Sequence, residues 1–321
     1  MDTALRAVRV CARSGREALA RSLALHDSPI EASIEPFLFE PQERSAKETN
    51  VERFIVKVAA AQIACTLGDL AANTRKLREF AERAKVAGAE LVVFPEMADT
   101  GYDMRIIREQ ARPWSEGVVP ELQEIARTLS LAIISGVSEK EGDAIFNSQV
   151  VIDSAGAIMA KYRKAHLFAP APIEEDKCFT PGDALASFDL GPLRFGLTIC
   201  YDLRFPEIYR MLAVDEGANV FAISSAWPFP RVEHQRVLAT ARAIENQSYV
   251  ILANRVGKDD GVPFCGSSAV IDPYGVVVAA ASVDREELIV AELSCEVLET
   301  VRQRMAVFSH RRSDLYDRRR D

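Results

Sequence analysis

No stretch of the 321-residue sequence approaches ~18 consecutive apolar residues, so it offers no membrane-spanning helix. No two of the six cysteines (Cys11, Cys65, Cys178, Cys200, Cys265 and Cys295) form a C-x-x-C pair, which argues against a structural zinc site. Their spacing is wide, and a chain this long has core enough without bridges, so a disulfide framework is not needed. The expectation is reduced thiols in the cytoplasm, at least four of them acting as small buried hydrophobes. A charged segment followed by an apolar one, the mark of a secretory signal, is missing. So is a surplus of positive charge: 39 Lys and Arg against 47 Asp and Glu leave a net charge of −8. That balance argues against a general nucleic-acid binder. Histidine is scarce, with only His26, His166, His234 and His310. There is no internal repeat and no low-complexity tract.

What is present is a folding sequence with an atypical start. An apolar fraction of 48% is too high for global disorder. Residues 1–25 carry Arg6, Arg9, Arg13, Arg16 and Arg21 against Asp2 and Glu17, and residues 26–50 reverse the sign. We read residues 1–52 as a poorly ordered extension or an upstream start-site artefact; the alternative is an organelle-targeting segment, Arg-rich and acid-poor. From residue 54 the apolar periodicity runs without a linker to about 308. This predicts one domain, 53–321, rather than the two that length alone suggests.

Within it, Phe54–Ile63 and Glu90–Phe94 read as buried strands, with a helix at Asn73–Ala87 between them and Gly88 as its stop. Pro120–Leu129 reads as a helix and Leu131–Val137 as a strand. Phe146–Ile152 and Ala157–Tyr162 form a predicted hairpin around Asp153-Ser154-Ala155-Gly156. Leu193–Ile199, Asn219–Ile223 and Tyr249–Ala253 are predicted strands, interleaved with helices at Pro206–Val214 and Val232–Asn246. Ser267–Ile271 and Val276–Ala280 pair around a second turn, and Leu288–Leu293 is the last strand. Interleaved elements with hairpins mixed in indicate layered α/β with mixed sheets.

Three polar residues stand just beyond buried runs: Glu96 after LVVFP, Lys164 in KYRKAHLF, and Cys200 after RFGLTI. Strand ends in layered α/β folds face ligand crevices. Each residue taken alone has an ordinary structural explanation, but a thiol, a carboxylate and an ammonium complement one another. A free thiol is mostly protonated at neutral pH, so Cys200 needs a base to become a nucleophile. Glu96 can serve if desolvation lifts its pKa. Lys164 and the peptide N–H of Tyr201 would stabilise a developing oxyanion. A Cys–His site around Cys200 with His166 or His234 is the competing reading.

At these residues the sequence resembles the carbon–nitrogen hydrolases, or nitrilase superfamily, and within it the Nit-type ω-amidase branch. The motifs are LVVFPEMADTGY, YRKAHLF and GLTICYDLRFPE, and the likeness runs from about Val56 to Tyr316. ARAIENQSYVILANRVG, FCGSSAVIDPYG and VFSHRRSDLYD are similar to further family segments. The resemblance implies a catalytic Glu96–Lys164–Cys200 triad. It also implies a second glutamate, for which IEEDKCFTPGD offers Glu174 and Glu175; spacing to Pro181-Gly182-Asp183 favours Glu175. The implied fold is a four-layer α-β-β-α sandwich. A homodimer or higher homo-oligomer is expected, with Arg302, Arg304, Arg311 and Arg312 at contacts and Arg318–Arg320 a solvated tail.

The implied chemistry is amide hydrolysis with release of ammonia through a thioester, needing water but neither metal nor organic cofactor. The AWP stretch with Arg231 is similar to ω-amidases acting on short dicarboxylate monoamides such as 2-oxoglutaramate. Trp227 and Tyr102 are candidate pocket walls. Arg204 and Arg231 are candidate anchors for a substrate carboxylate, because an arginine fork suits it; Arg204 could equally be a buried partner of Asp202 or Glu207. Alternatives within the superfamily are a deaminated-glutathione amidase, an N-carbamoyl amidohydrolase and a nitrilase. From another class comes a catalytically silent interaction protein on the same fold.

Overall fold

The structure, a computed structural model, describes residues 54–316. The expectations for residues 1–52, for Cys11 and His26, and for Arg318–Arg320 lie outside the described residues. The apolar, β-branched run at the start folds as β1 (Ile55–Gln62). After it comes α1 (Leu70–Val86), which buries Leu77, Phe80, Ala81 and Ala84 on one face. The helix starts before the expected Asn73 because the Asp69 side chain accepts the Ala72 N–H at 2.9 Å. Such a cap contributes about 1 kcal/mol and overrides the apolar pattern as the start signal.

The remaining elements follow in order. They are β2 (Leu91–Val93), α2 (Met104–Gln110), α3 (Val119–Leu129), β3 (Ala132–Glu141), β4 (Ala144–Ile152) and β5 (Ile158–Arg163). Then come β6 (Ser187–Leu190), β7 (Leu193–Ile199), α4 (Pro206–Val214), β8 (Val220–Ser225), α5 (Val232–Asn246) and β9 (Tyr249–Asn254). The chain continues through β10 (Lys258–Asp259), β11 (Val262–Pro263), β12 (Ala269–Ile271), β13 (Val277–Ala280) and β14 (Glu287–Ser294). It closes with α6 (Cys295–Arg304) and α7 (Ser313–Tyr316). Sequence periodicity missed α2, β6 and α6. In α2 only Ile107 is buried; the helix rests on its Asp103 cap, which accepts the Arg105 and Ile106 N–H groups.

Two six-stranded sheets result, ordered β14-β1-β2-β3-β4-β5 and β6-β7-β8-β9-β12-β13. Read in those directions, neighbouring pairs in each run antiparallel, parallel, parallel, antiparallel, antiparallel. Mixed sheets are therefore observed, and a repeat of strand directions exists that the sequence does not display.

The outer face of the first sheet, with Ala59, Ala61 and Ile63, packs on Leu77 and Phe80 of α1 and Leu122 and Ile125 of α3. The inner face, with Val58, Ala60 and Val93, joins Leu197, Val220 and Ala222 of the second sheet in one apolar cluster. That cluster continues through Leu212 of α4 and Ala239 and Ala243 of α5. The layers are helix, sheet, sheet, helix, as expected. Each large apolar side chain buried here contributes roughly 1.5–3 kcal/mol. A few polar contacts pin the sheets in register: Gln149 on β4 donates to the Ser224 hydroxyl on β8 (2.9 Å), which donates to the Phe94 carbonyl (2.7 Å). Among the described residues, no helix is long and apolar enough to cross a membrane.

Candidate active site

Beyond β2 the chain turns sharply and presents Glu96. The turn lies directly on β3, where a Cβ at Gly136 would stand 2.5 Å from the Glu96 Cα and 2.7 Å from the Pro95 carbonyl oxygen. Only glycine permits that approach. Main-chain bonds lock it: Gly136 N–H to Pro95 O at 3.1 Å and Ala98 N–H to Gly136 O at 2.9 Å. The Glu96 carboxylate is fully buried. Its Oε1 accepts from Lys164 Nζ (2.8 Å) and Asn147 Nδ2 (2.7 Å), and its Oε2 from the Ala226 N–H (2.8 Å).

Lys164 follows β5, where its own N–H bonds to the Asn147 carbonyl at 2.8 Å. Its ammonium donates to Glu96 and, at 2.8 Å each, to both oxygens of Glu175. Glu175 also accepts the Tyr102 hydroxyl (2.6 Å), Asn147 Nδ2 (3.1 Å) and the Phe168 N–H (2.6 Å). Of the two glutamates the sequence offered, the structure places Glu175 in the cluster, while Glu174 faces outward and pairs with Lys177 at 2.6 Å. Burial alone would push the Lys164 ammonium down, but the charges of Glu175 and Glu96 outweigh it and hold its pKa above the usual lysine range. Burial pushes the Glu175 carboxyl up, Lys164 opposes that, and the neighbouring Glu96 adds to it. A buried charge is tolerated only when paired and hydrogen-bonded, and Lys164 meets both conditions.

Cys200 sits where β7 passes into a 3₁₀ turn, Cys200–Arg204. Its φ is +43°, in the left-handed region, a strain of about 1–3 kcal/mol that clusters at functional sites. The turn is held by Asp202, whose Oδ2 accepts the Ile199 N–H (2.9 Å) and the Tyr162 hydroxyl (2.8 Å). Its Oδ1 accepts the His166 N–H (3.1 Å) and contacts His166 Nδ1 (2.8 Å). Asp202 thus ties the cysteine turn to the strand and loop that carry Lys164. Burial pushes the Cys200 thiol well above its ordinary pKa and the Glu96 charge adds to this, while Lys164 and the Ser225 hydroxyl oppose it. These influences favour the thiol form of the sulfur, with the Glu96 and Lys164 charges acting on it in opposite senses.

Cys200 opens onto a cleft of about 300 Å³ measured out to its mouth, lined by Tyr102, Phe168, Ile173, Tyr201, Arg204, Ala226, Trp227, Pro228 and Arg231. All five residues nominated for substrate contact therefore share one cleft with the thiol. Trp227 is buried and donates through Nε1 to the Arg231 carbonyl at 2.9 Å. The Arg204 guanidinium lies over the Trp227 ring at 4.8 Å and that of Arg231 over Phe168 at 5.5 Å. The alternative placing of Arg204 as partner of Asp202 or Glu207 does not hold: Asp202 is occupied as described, and Arg204 reaches His234 Nδ1 at 3.3 Å. Among the described residues, neither Arg204 nor Arg231 has a carboxylate within ion-pair distance. His166 is held by Asp202 and stacked on Phe205 at 3.7 Å, and His234 is engaged by Arg204. The group beside Lys164 is the Glu96 carboxylate and not an imidazole.

Sequence reasoning missed Asn147, whose single amide nitrogen bridges the two glutamates, and the Ala226 N–H. A signal for the first existed: Asn147 interrupts the otherwise apolar start of β4. None existed for the second, a main-chain group. The expectation of at least four buried cysteines also needs correction. Of the five described, Cys200 and Cys265 are buried, while Cys65, Cys178 and Cys295 are partly exposed at element ends and loops. Among the described residues, no group of three or more His, Cys, Asp or Glu is arranged to hold a metal ion.

Residues 57–303 match the family model described as carbon–nitrogen hydrolase. The chain is 35% identical over 261 residues to a 2-oxoglutaramate amidase of Bacillus subtilis (strain 168), covering 81% of this chain and 98% of that one. It is 32% identical over 253 residues to omega-amidase NIT2 of Homo sapiens, covering 76% and 91%. Among solved structures, Saccharomyces cerevisiae Nit3, a member of branch 10 of the nitrilase superfamily, superposes with a TM-score of 0.74 at 32% identity, covering 80% of this chain and 97% of that one.

Proposed function

We infer the function from one premise: the chain belongs to the carbon–nitrogen hydrolase family and is an ω-amidase-like hydrolase of amides. We propose that it releases ammonia from a short dicarboxylate monoamide, of the kind represented by 2-oxoglutaramate, through a thioester on Cys200. The observation that carries this reading is the cleft itself. Cys200 lines it, the buried Glu96 and Lys164 are paired at 2.8 Å and their charges act on the Cys200 thiol, and Arg204 and Arg231 line it with no carboxylate in ion-pair distance among the described residues. A substrate with an amide at one end and a carboxylate at the other fits that polarity, since a guanidinium fork matches a carboxylate.

The steps balance without a cofactor. Glu96 takes the thiol proton as sulfur bonds to the amide carbon. The Lys164 ammonium and the Tyr201 N–H hold the resulting oxyanion. Protonated Glu96 delivers its proton to nitrogen, the C–N bond breaks, and ammonia leaves a thioester. Glu96 then takes a proton from water as its oxygen attacks the thioester carbon, and the second tetrahedral species collapses to the acid. The proton on Glu96 returns to sulfur. Splitting one difficult displacement in two is the advantage of covalent catalysis. Glu175, saturated by four donor groups, positions Lys164 and does no proton transfer. Tyr102 and Trp227 wall the cleft.

Residues 1–52 are read as an extension to a single catalytic domain, and the compartment as cytoplasmic. A homodimer is supported by the exposed Met211 on α4 and Val237 and Ile244 on α5; sedimentation of the purified protein tests it. The deciding experiment is an ammonia-release screen over monoamides, carbamoyl compounds and nitriles, with Cys200→Ala as the blank. Turnover of carboxylate-bearing monoamides above all others is expected. Turnover of nitriles without amides overturns the assignment.

A further inference from the structure

Behind the cleft lies a buried ion pair that the mechanism above does not use. Arg255, the residue after β9, is fully buried, and its Nε and Nη2 have no hydrogen-bond partner among the described residues. Its Nη1 donates to Oδ2 of Asp259, which is 2% exposed. The same Oδ2 accepts the main-chain N–H of Tyr102 at 2.8 Å. The approach is close because Gly101, at φ +76°, precedes it; a Cβ there would stand 3.2 Å from Asp259 Oδ2 and 2.9 Å from Leu67 Cδ1. Tyr102 in turn donates its hydroxyl to Glu175 at 2.6 Å, and Glu175 holds Lys164 at 2.8 Å. The Tyr102 ring meets Phe264 edge-on at 6.2 Å, and Arg255 lies 4.7 Å over that same ring.

We propose that Asp259 is a positioning residue for the reaction, anchoring the Tyr102 backbone so that the Tyr102 hydroxyl fixes Glu175 and, through it, Lys164. A buried ion pair is a poor source of stability, because well-packed apolar residues of like volume do as well or better. Such a pair is more readily explained where it sets a geometry, and this one ends on the site through three short hydrogen bonds. Small displacements of a reacting group cost large rate factors. Asp259 touches neither substrate nor thiol, so its effect falls on kcat rather than on KM. This inference rests on the amidase reading above.

The test removes the buried charges first, so that folding survives. Arg255→Met/Asp259→Ala deletes the acceptor for Tyr102; Arg255→Met/Asp259→Asn keeps one. Both are compared by thermal melting, and by ammonia release from glutaramate normalised to Cys200 sites titrated with iodoacetamide. The Ala form is expected to lose about tenfold in kcat with KM within about twofold, and the Asn form to recover most of that loss. In a Tyr102→Phe background, where the hydroxyl is gone, the two forms become equal. Equal kcat values in the parent background overturn the positioning role, as does a difference that persists undiminished in Tyr102→Phe. If both double variants fail to fold, Asp259→Asn against Tyr102→Phe decides: non-additive losses in their combination support the proposal and additive losses overturn it. A wild-type enzyme that releases no ammonia from any amide is a different failure, that of the amidase reading, and is seen before any variant is made.

Discussion

The first sheet and the second repeat one succession of strand directions but bring opposite things to the cleft. From the first come the polar groups: Glu96 beyond β2, the Asn147 amide on β4 and Lys164 beyond β5. From the second come the Cys200 sulfur beyond β7 and, beyond β8, the Ala226 N–H that donates to the far oxygen of Glu96 at 2.8 Å. Neither sheet holds a site by itself. A carboxylate and an ammonium on one half would be solvated if the other did not cover them, and the Cys200 thiol would have neither base nor cation. The layered fold makes the chemistry by docking the halves, and inter-sheet bonds such as Gln149 to Ser224 set how they dock.

Substitutions on the two halves should therefore differ in kind. The largest effect belongs to the second: Cys200→Ala is expected to lower kcat by at least ~10³-fold with an unchanged melting profile. Near-native turnover would break the division of labour. On the first half, Glu96→Gln should cost ~10²–10⁴-fold in both acylation and deacylation, because in the proposed mechanism one carboxylate serves both steps. Rapid quench of the variant checks this; a thioester that accumulates would show that only deacylation needs Glu96.

Gly136→Ala sharpens the comparison, since it touches no reacting group yet pushes on the Glu96 backbone from β3. We expect kcat to fall ~10–100-fold and stability by about 1–3 kcal/mol, read by single-turnover kinetics and denaturant melts. On the cleft wall, Arg231→Met should raise KM ~10-fold for carboxylate-bearing amides and little for neutral ones. Equal changes for both would remove it as the anchor. Smallest of all, deleting residues 1–50 should leave kcat/KM unchanged, and a large loss would give the extension a part in catalysis.

Much of this was readable in advance at particular places. β7 and the helices α4 and α5 fall where apolar runs and Pro206 put them, because buried strands and amphipathic helices advertise themselves by period. Glu96, Lys164 and Cys200 were visible because charged or reactive groups directly after buried strands need a partner. Asn147 and Asp259 were not singled out, since an amide in a strand and an acid in a KDDG turn have ordinary explanations until their neighbours are known. The short α2 escaped because a side-chain cap, not an apolar stripe, starts it.

By itself the sequence indicated the layered α/β class, singled out Cys200, Glu96 and Lys164 as the nucleophile, base and cation proposed above, and named five residues that line one cleft. Only the tertiary structure decided the bridging of both carboxylates by Asn147 and the freedom of Arg204 from Asp202, and it put Glu175, which spacing had favoured, beside Lys164. The physical reason is range. Periodicity and motif spacing are local, whereas hydrogen bonds across 51, 68 and 130 residues, such as those at Glu96, exist only once two sheets have packed face to face.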